Sequence, residues 1–157
     1  METTLSKTSR DLRIVRAKPE HIDAVASLFD DYRQFYGQLS DLDGARQFIS
    51  KRLAQDQSVI FLALKGDQGC GFTQLYPTFS SVAMRPIWIL NDLFVAPEAR
   101  RLGLGKRLMQ AASEFGVENG TKRLVLSTAV DNHSAQSLYE KSGWIRNDAF
   151  LHYNRDL

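Results

Sequence analysis

The sequence predicts one α+β domain built on a mixed sheet. Two observations carry the prediction. Apolar residues switch period along the chain, from helical spacing to compact or alternating strand-like runs and back again. Across 157 residues no repeat or linker interrupts this succession, and the length suits one domain.

Residues 1–10 are polar and lack the apolar stretch of a secretory signal. They are expected to form a disordered tail ahead of a single domain over 11–157. Leu12 to Ala17 alternates as a first strand. Pro19 suits a helical first turn, and Ile22, Val25, Ala26, Leu28 and Phe29 recur at helical spacing, which predicts a helix from His21 to about Tyr36 with Gly37 as its stop. Asp41 is placed to cap a second helix whose apolar face is Ala45, Phe48, Ile49 and Leu53.

Ser58 to Leu64 is a compact apolar run, read as a buried strand. A turn over Lys65 to Gly69 leads to a hairpin partner from Gly71 to Phe79, closed by Pro77. Ile87 to Val95 reads as a central strand with two polar residues, Asn91 and Asp92, in its middle, and Pro97 ends it. Leu104, Leu108, Ala111, Ala112 and Phe115 mark a helix from about Gly103 to Glu118, stopped by Asn119-Gly120. Leu124 to Thr128 is the next strand. Asn132 caps a short helix carrying Ala135, Leu138 and Tyr139, and Gly143 ends it. Short late strands are expected from Trp144 and over 150–153.

Composition excludes several function classes. Twenty Lys plus Arg against eighteen Asp plus Glu leave a formal charge of +2, which argues against a nucleic-acid binder that works by bulk charge. A single cysteine, Cys70, cannot make an intrachain disulfide. The three histidines, His21, His133 and His152, lack metal-ligand spacing, so no metal is expected. No run approaches the roughly 18 apolar residues of a membrane span. The expectation is a cytoplasmic protein without membrane or nucleic-acid partners.

The stretch Arg100-Arg101-Leu102-Gly103-Leu104-Gly105-Lys106-Arg107 follows a strand and opens a helix. Unpaired N–H groups and the positive end of the helix dipole favour an anion there, and glycine lets phosphate oxygens approach the backbone. Neither familiar nucleotide loop fits. A dinucleotide fingerprint needs glycine at position 108, which is Leu108; a P-loop needs glycine at 100 and Ser or Thr at 107, which are Arg100 and Arg107.

Arg100-x-x-Gly103-x-Gly105 instead resembles the Q/R-x-x-G-x-G/A pyrophosphate loop of the GCN5-related N-acetyltransferases. Asn132-x-x-Ala135-x-x-x-Tyr139-x-x-x-Gly143-Trp144 is similar to that family's second signature. The resemblance runs from about Leu12 to Tyr153. It implies the family's fold, a mixed, mostly antiparallel central sheet flanked by helices in three layers, and acetyl-CoA as co-substrate.

By the resemblance, Leu93, Phe94 and Val95 run beside the pantetheine arm. Arg101, Leu102, Gly103, Leu104, Gly105 and Lys106, with Arg100, hold the pyrophosphate, and Asn132, Ala135 and Tyr139 contact the coenzyme. Tyr139 is the candidate general acid, since a phenol can protonate a departing thiolate. The amine must lose a proton, and Asp92 is the candidate base, because a carboxylate in a central strand is costly to bury without a purpose. The alternative is that Asp92 satisfies backbone groups at a strand bulge.

The strand around Asp92 looks close to that of the spermidine/spermine-type diamine acetyltransferases, which carry Glu-Asp where this chain has Asn91-Asp92; an amide cannot act as a base. Asp30, Asp31, Tyr32, Phe35 and Tyr36 cluster at the end of the first helix. Acidic and aromatic groups suit a cationic amine, so Tyr32, Tyr36, Asn91 and Asp92 are the candidate acceptor-binding residues, and Gln74 and Tyr76 on the neighbouring strand are placed to join them. The expected activity is acetyl transfer to a small polyamine-like or amino compound. Transfer to protein lysines or N-termini, and a non-catalytic acyl-CoA-binding module, are the alternatives. A homodimer is implied by the resemblance alone.

Overall fold

The computed structural model describes residues 11–157, and the tail expected over residues 1–10 lies outside them. The described chain forms two compact units, one ending at Ser127 and one running from Thr128 to Leu157.

The first unit contains β1 (Leu12–Arg16), a 3-10 turn (Pro19–His21), α1 (Ile22–Phe35), α2 (Leu42–Ala54), β2 (Val59–Lys65), β3 (Gln68–Ser80), β4 (Arg85–Val95), a second 3-10 turn (Pro97–Ala99), α3 (Leu104–Glu118) and β5 (Leu124–Val125). The sheet order is β1-β2-β3-β4-β5. The first three pairings are antiparallel and the last is parallel, so the sheet is mixed and mostly antiparallel, as expected.

Each face of the sheet buries a separate core. On one, Val25 and Leu28 of α1 and Ile49 of α2 pack on Ile60, Leu62, Leu64, Phe72 and Phe94. On the other, Leu104 and Leu108 of α3 pack with Ala99 on Ala63 and Cys70. The two sets alternate along β2, the pattern of a strand buried on both faces. The Asp41 side chain accepts the Gly44 N–H at 2.9 Å and caps α2.

Pro77 does not close β3, which continues to Ser80. The reason lies in the neighbouring strand. β2 begins at Val59, opposite Leu75, so beyond that point β3 is bordered by β4 alone, and an edge tolerates a residue without an N–H. The strand expected over 124–128 shortens to Leu124–Val125.

In the second unit, α4 (His133–Lys141) starts at Asn132, whose Oδ1 accepts the Ala135 N–H at 3.2 Å. Gly143 takes a positive φ of 86° just past its end. The late strands are absent; residues 144–157 form no strand. Two local bonds occur in this stretch, one of them to a backbone N–H. Arg146 pairs with Asp148 at 2.8 Å, and Asn147 Oδ1 accepts the Ala149 N–H at 3.0 Å. Such short-range bonds compete with strand pairing, which the apolar alternation alone does not reveal.

Candidate active site

The pairing of β3 with β4 slips by one residue. Gln74 lies opposite Asp92 and Leu75 opposite Leu90, so Asn91 is the extra residue of a β-bulge. A bulge bends its strand and re-aims the neighbouring side chains. Asn91 is exposed while Asp92 is buried at 3% exposure. The apolar run therefore carries its polar pair where regular pairing fails.

Asp92 accepts from Gln74 Nε2 at 2.6 Å, from Asn91 Nδ2 at 3.0 Å and from the Tyr32 hydroxyl. All three donors are neutral, and no cation pairs with it among the described residues. Burial pushes its pKa up, and the hydrogen bonds offset this only in part. Gln74 is itself fully buried, with its Oε1 unpartnered. Tyr76, beside Gln74 and Asp92, has its phenol pushed up to about 12, first by burial and then by the Asp92 charge. Three predicted residues, Tyr32, Asn91 and Asp92, thus meet in one hydrogen-bonded cluster. The fourth, Tyr36, is half-exposed and reaches it only through its ring, 5.0 Å from that of Tyr32. Gln74, a side possibility in the sequence, is the residue that holds Asp92 most closely.

Just past the bulge, β4 has an open edge. β5 pairs with it only at Trp88 and Ile89. The Ala96 N–H donates to the Cys70 carbonyl, and the Phe94 carbonyl lies so close to Gly71 that a Cβ there would meet it at 2.8 Å. Backbone direction alternates along a strand, so the Leu93 and Val95 amides and carbonyls face away from β3. Arg100 Nε donates to the Val95 carbonyl at 3.1 Å, which leaves the Leu93 pair and the Val95 N–H available to an added strand-like ligand.

The predicted anion loop follows directly. Gly103 begins α3 with a φ of 71°, and Arg101 takes a φ of 64°, a conformation seldom adopted by a residue with a Cβ. No side chain caps the helix and no acid sits in its first turn. The first helical bond runs from the Arg107 N–H to the Gly103 carbonyl, so the preceding amides have no intrahelical acceptor. Leu104 is buried in the core and can offer only its backbone. Of the four nearby cations, Arg100 is bound to Val95 and Arg107 to the Leu12 carbonyl; Arg101 and Lys106 are exposed, with no side-chain partner among the described residues. A groove of about 580 Å³ between β1, β2 and α3 includes Lys106 but none of the Asp92 cluster.

In the second unit, Tyr139 is half-buried, its ring 6.3 Å from that of Trp144. Cap formation uses Asn132 Oδ1 and the Ala135 N–H for each other.

Asp30 departs from expectation. It is buried under the α1–α2 loop, accepting from Ser40 Oγ and from the Asp41 N–H, both at 2.7 Å. These bonds hold its carboxyl below the usual range, so its charge fastens the loop and is spent there. Asp31 is exposed, its pKa raised by partial burial and by the like charges of Asp30 and Glu98. Phe35 is exposed at 61%.

A model of the Acetyltransferase (GNAT) family matches residues 23–144. An uncharacterized N-acetyltransferase, YhfO, of Bacillus subtilis strain 168 is 49% identical over 142 residues, covering 90% of this chain and 95% of its own. The crystal structure of a probable acetyltransferase superposes with a TM-score of 0.87 at 45% identity, covering 92% and 97% of the two chains. The aminoglycoside N-acetyltransferase AAC(6')-Iy in complex with CoA shares the fold at a TM-score of 0.78 and 19% identity, covering 93% and 95%. A family match across most of the sequence, joined to a relative sharing about half its residues, leads to one conclusion: the chain belongs to the acetyltransferase (GNAT) family.

Proposed function

We propose that the protein transfers an acetyl group from acetyl-CoA to the primary amine of a small polyamine-like or amino compound, by direct attack in a ternary complex. Family membership makes the chain an acyltransferase of the N-acetyltransferase kind; donor and acceptor are our reading. The observation that carries it is Asp92, a buried carboxylate answered only by neutral donors and adjoining an open strand edge.

Each task has a residue. The uncapped amides from Arg101 to Gly105, with the Arg101 and Lys106 charges, take the pyrophosphate. The open Leu93 and Val95 groups take the pantetheine amides like an added strand. An N–H on that edge faces the thioester carbonyl as its oxygen gains charge, and losing such a donor typically raises the barrier by about 3–4 kcal/mol. Asp92, directly or through water, takes the proton of the attacking amine. Burial without a cation makes it a stronger base than an ordinary carboxylate, nearer the basicity useful at neutral pH. Tyr139 then protonates the departing thiolate, a role that rests on its motif. Tyr32, Tyr36 and Asn91 border the acceptor, and a cytoplasmic homodimer completes the reading.

Release of CoA thiol, measured with a panel of diamines, amino acids and peptides, tests it. Turnover on small amines is expected. Tight acetyl-CoA binding with no turnover on any amine, or turnover on peptides alone, contradicts it.

A further inference from the structure

Arg52 differs from the other cations of the first unit. It sits in the last turn of α2, half-buried, with Cζ 4.5 Å from the centre of the Phe48 ring. No carboxylate pairs with it among the described residues, and its Nε is buried without a hydrogen-bond partner. The dipole of α2 favours a cation at this end. That explains the charge but not the buried, unanswered donor, which a native site does not normally leave so.

Two paths of contact join Arg52 to Asp92. On one, Phe48 stacks on Phe29 at 5.4 Å, Phe29 lies 6.3 Å from Tyr32, and Tyr32 bonds Asp92. On the other, the Arg52 charge acts on the Tyr76 hydroxyl, Tyr76 bonds Gln74, and Gln74 donates to Asp92. Yet the two charges form no ion pair with each other. The guanidinium lies over the Phe48 ring instead, so the cation and the Asp92 carboxyl stand at different points of one set of contacts.

Two more unanswered atoms belong to the same region. Gln74 Oε1 is buried and unpartnered, and so is Ser58 Oγ. Ser58 directly precedes Val59, the first residue of β2 and the partner of Leu75, so it stands at the end of the β2–β3 pairing, one residue before the strand whose neighbour β3 carries Gln74 and Tyr76. The cluster therefore offers a carboxylate and a free amide oxygen at one end, and a guanidinium and a hydroxyl at the other.

We infer that the acceptor is an amino acid, bound with its reacting amine toward Asp92 and Gln74 Oε1 and its carboxylate toward Arg52 and Ser58 Oγ. Each unanswered polar atom then gains a partner of opposite character. A simple diamine would bring a second ammonium toward Arg52, against a like charge. The inference rests on the proposed transfer to a small amine and narrows its acceptor.

Matched pairs separate the two claims: lysine against cadaverine, and ornithine against putrescine, assayed by CoA-thiol release with the wild-type chain, Arg52→Gln and Arg52→Lys. The wild type is expected to favour the amino acid of at least one pair by about tenfold or more in kcat/KM, the lower end of what a hydrogen bond to a charged group contributes. Arg52→Gln is expected to erase that preference through KM, and Arg52→Lys to restore part of it. Equal or reversed preference in the wild type, or a preference that survives Arg52→Gln, overturns the inference while leaving amine acetylation intact. Failure to acetylate lysine and ornithine while other amines of the wider panel turn over overturns the inference alone; no turnover on any amine of that panel overturns both. If Arg52→Gln fails to fold, the wild-type ratio and Arg52→Lys decide the matter.

Discussion

Asp30 and Asp92 are both buried, at 5% and 3% exposure, and both are surrounded by hydrogen-bond donors, yet their acidities move in opposite directions. Asp30 is answered by a hydroxyl, a backbone amide and the Gln34 side chain, with the Arg33 guanidinium 3.7 Å away. Its charge is welcome, and its carboxyl ionises more readily than usual. Asp92 has only three neutral side chains. For it the loss of water outweighs the bonds, so it holds a proton more strongly than usual. A carboxylate stabilised by backbone and cation fastens a loop; one left with neutral donors can take and return a proton.

The largest effect is expected at Asp92. Asp92→Asn lowers kcat/KM by about 10²–10⁴-fold, the usual contribution of a general base, with no fall in melting temperature at neutral pH. The sign follows from the shift. The folded pKa lies above 3.8, so ionisation of Asp92 disfavours folding as pH rises through the interval between the two values, and the amide removes that cost. Kinetics and thermal melts on one preparation measure both; a large loss of stability would make Asp92 a second Asp30.

Tyr139→Phe comes next, with turnover reduced by about a hundredfold and coenzyme affinity retained, read by titration calorimetry beside steady-state rates. Unchanged turnover would remove Tyr139 as the acid and leave Asp92 as the sole proton-handling side chain.

Asp30→Ala is expected to show the converse pattern. Stability falls by about 2 kcal/mol, because buried donors lose a charged acceptor, while kcat/KM is unchanged. The folded pKa of Asp30 lies below 3.8, so its stabilisation is present above that value and lost as pH falls through the lower folded one. Denaturant melts should therefore show a gap between wild type and Asp30→Ala that closes on acidification. A persistent loss of activity would give Asp30 a part in binding the cationic amine.

The smallest effect belongs to Asn91→Ala. It removes one neutral donor on the exposed side of Asp92, whose bond favours the charged form, and should move the acid limb of kcat/KM upward with little change in the plateau rate. An unmoved limb would show that Gln74 and Tyr32 alone set the basicity.

The sequence made the outline readable for definite reasons. Helix starts were visible because Asp41 and Asn132 are residues whose side chains cap, and both do. The Asn91-Asp92 pair was visible because polar residues interrupt an apolar run, and the bulge lies there. Asp30 was misread because a carboxylate beside aromatics looks the same in sequence whether it faces solvent or a loop of its own chain. Pro77 was misread because its cost depends on where the neighbouring strand begins. Gln74 was underrated because only the register of β3 against β4 sets it opposite Asp92. The late strands failed because alternation reports a face and not a partner.

The pH dependence of kcat/KM for the wild type and Asp92→Asn, at saturating acetyl-CoA with the best amine found, is the most direct test of the role given to Asp92. An acid limb with an apparent pKa above the ordinary carboxylate value, lost together with most of the rate in Asp92→Asn, is the expected result. The same limb and a similar rate in both proteins would show that another group, or water, removes the amine proton.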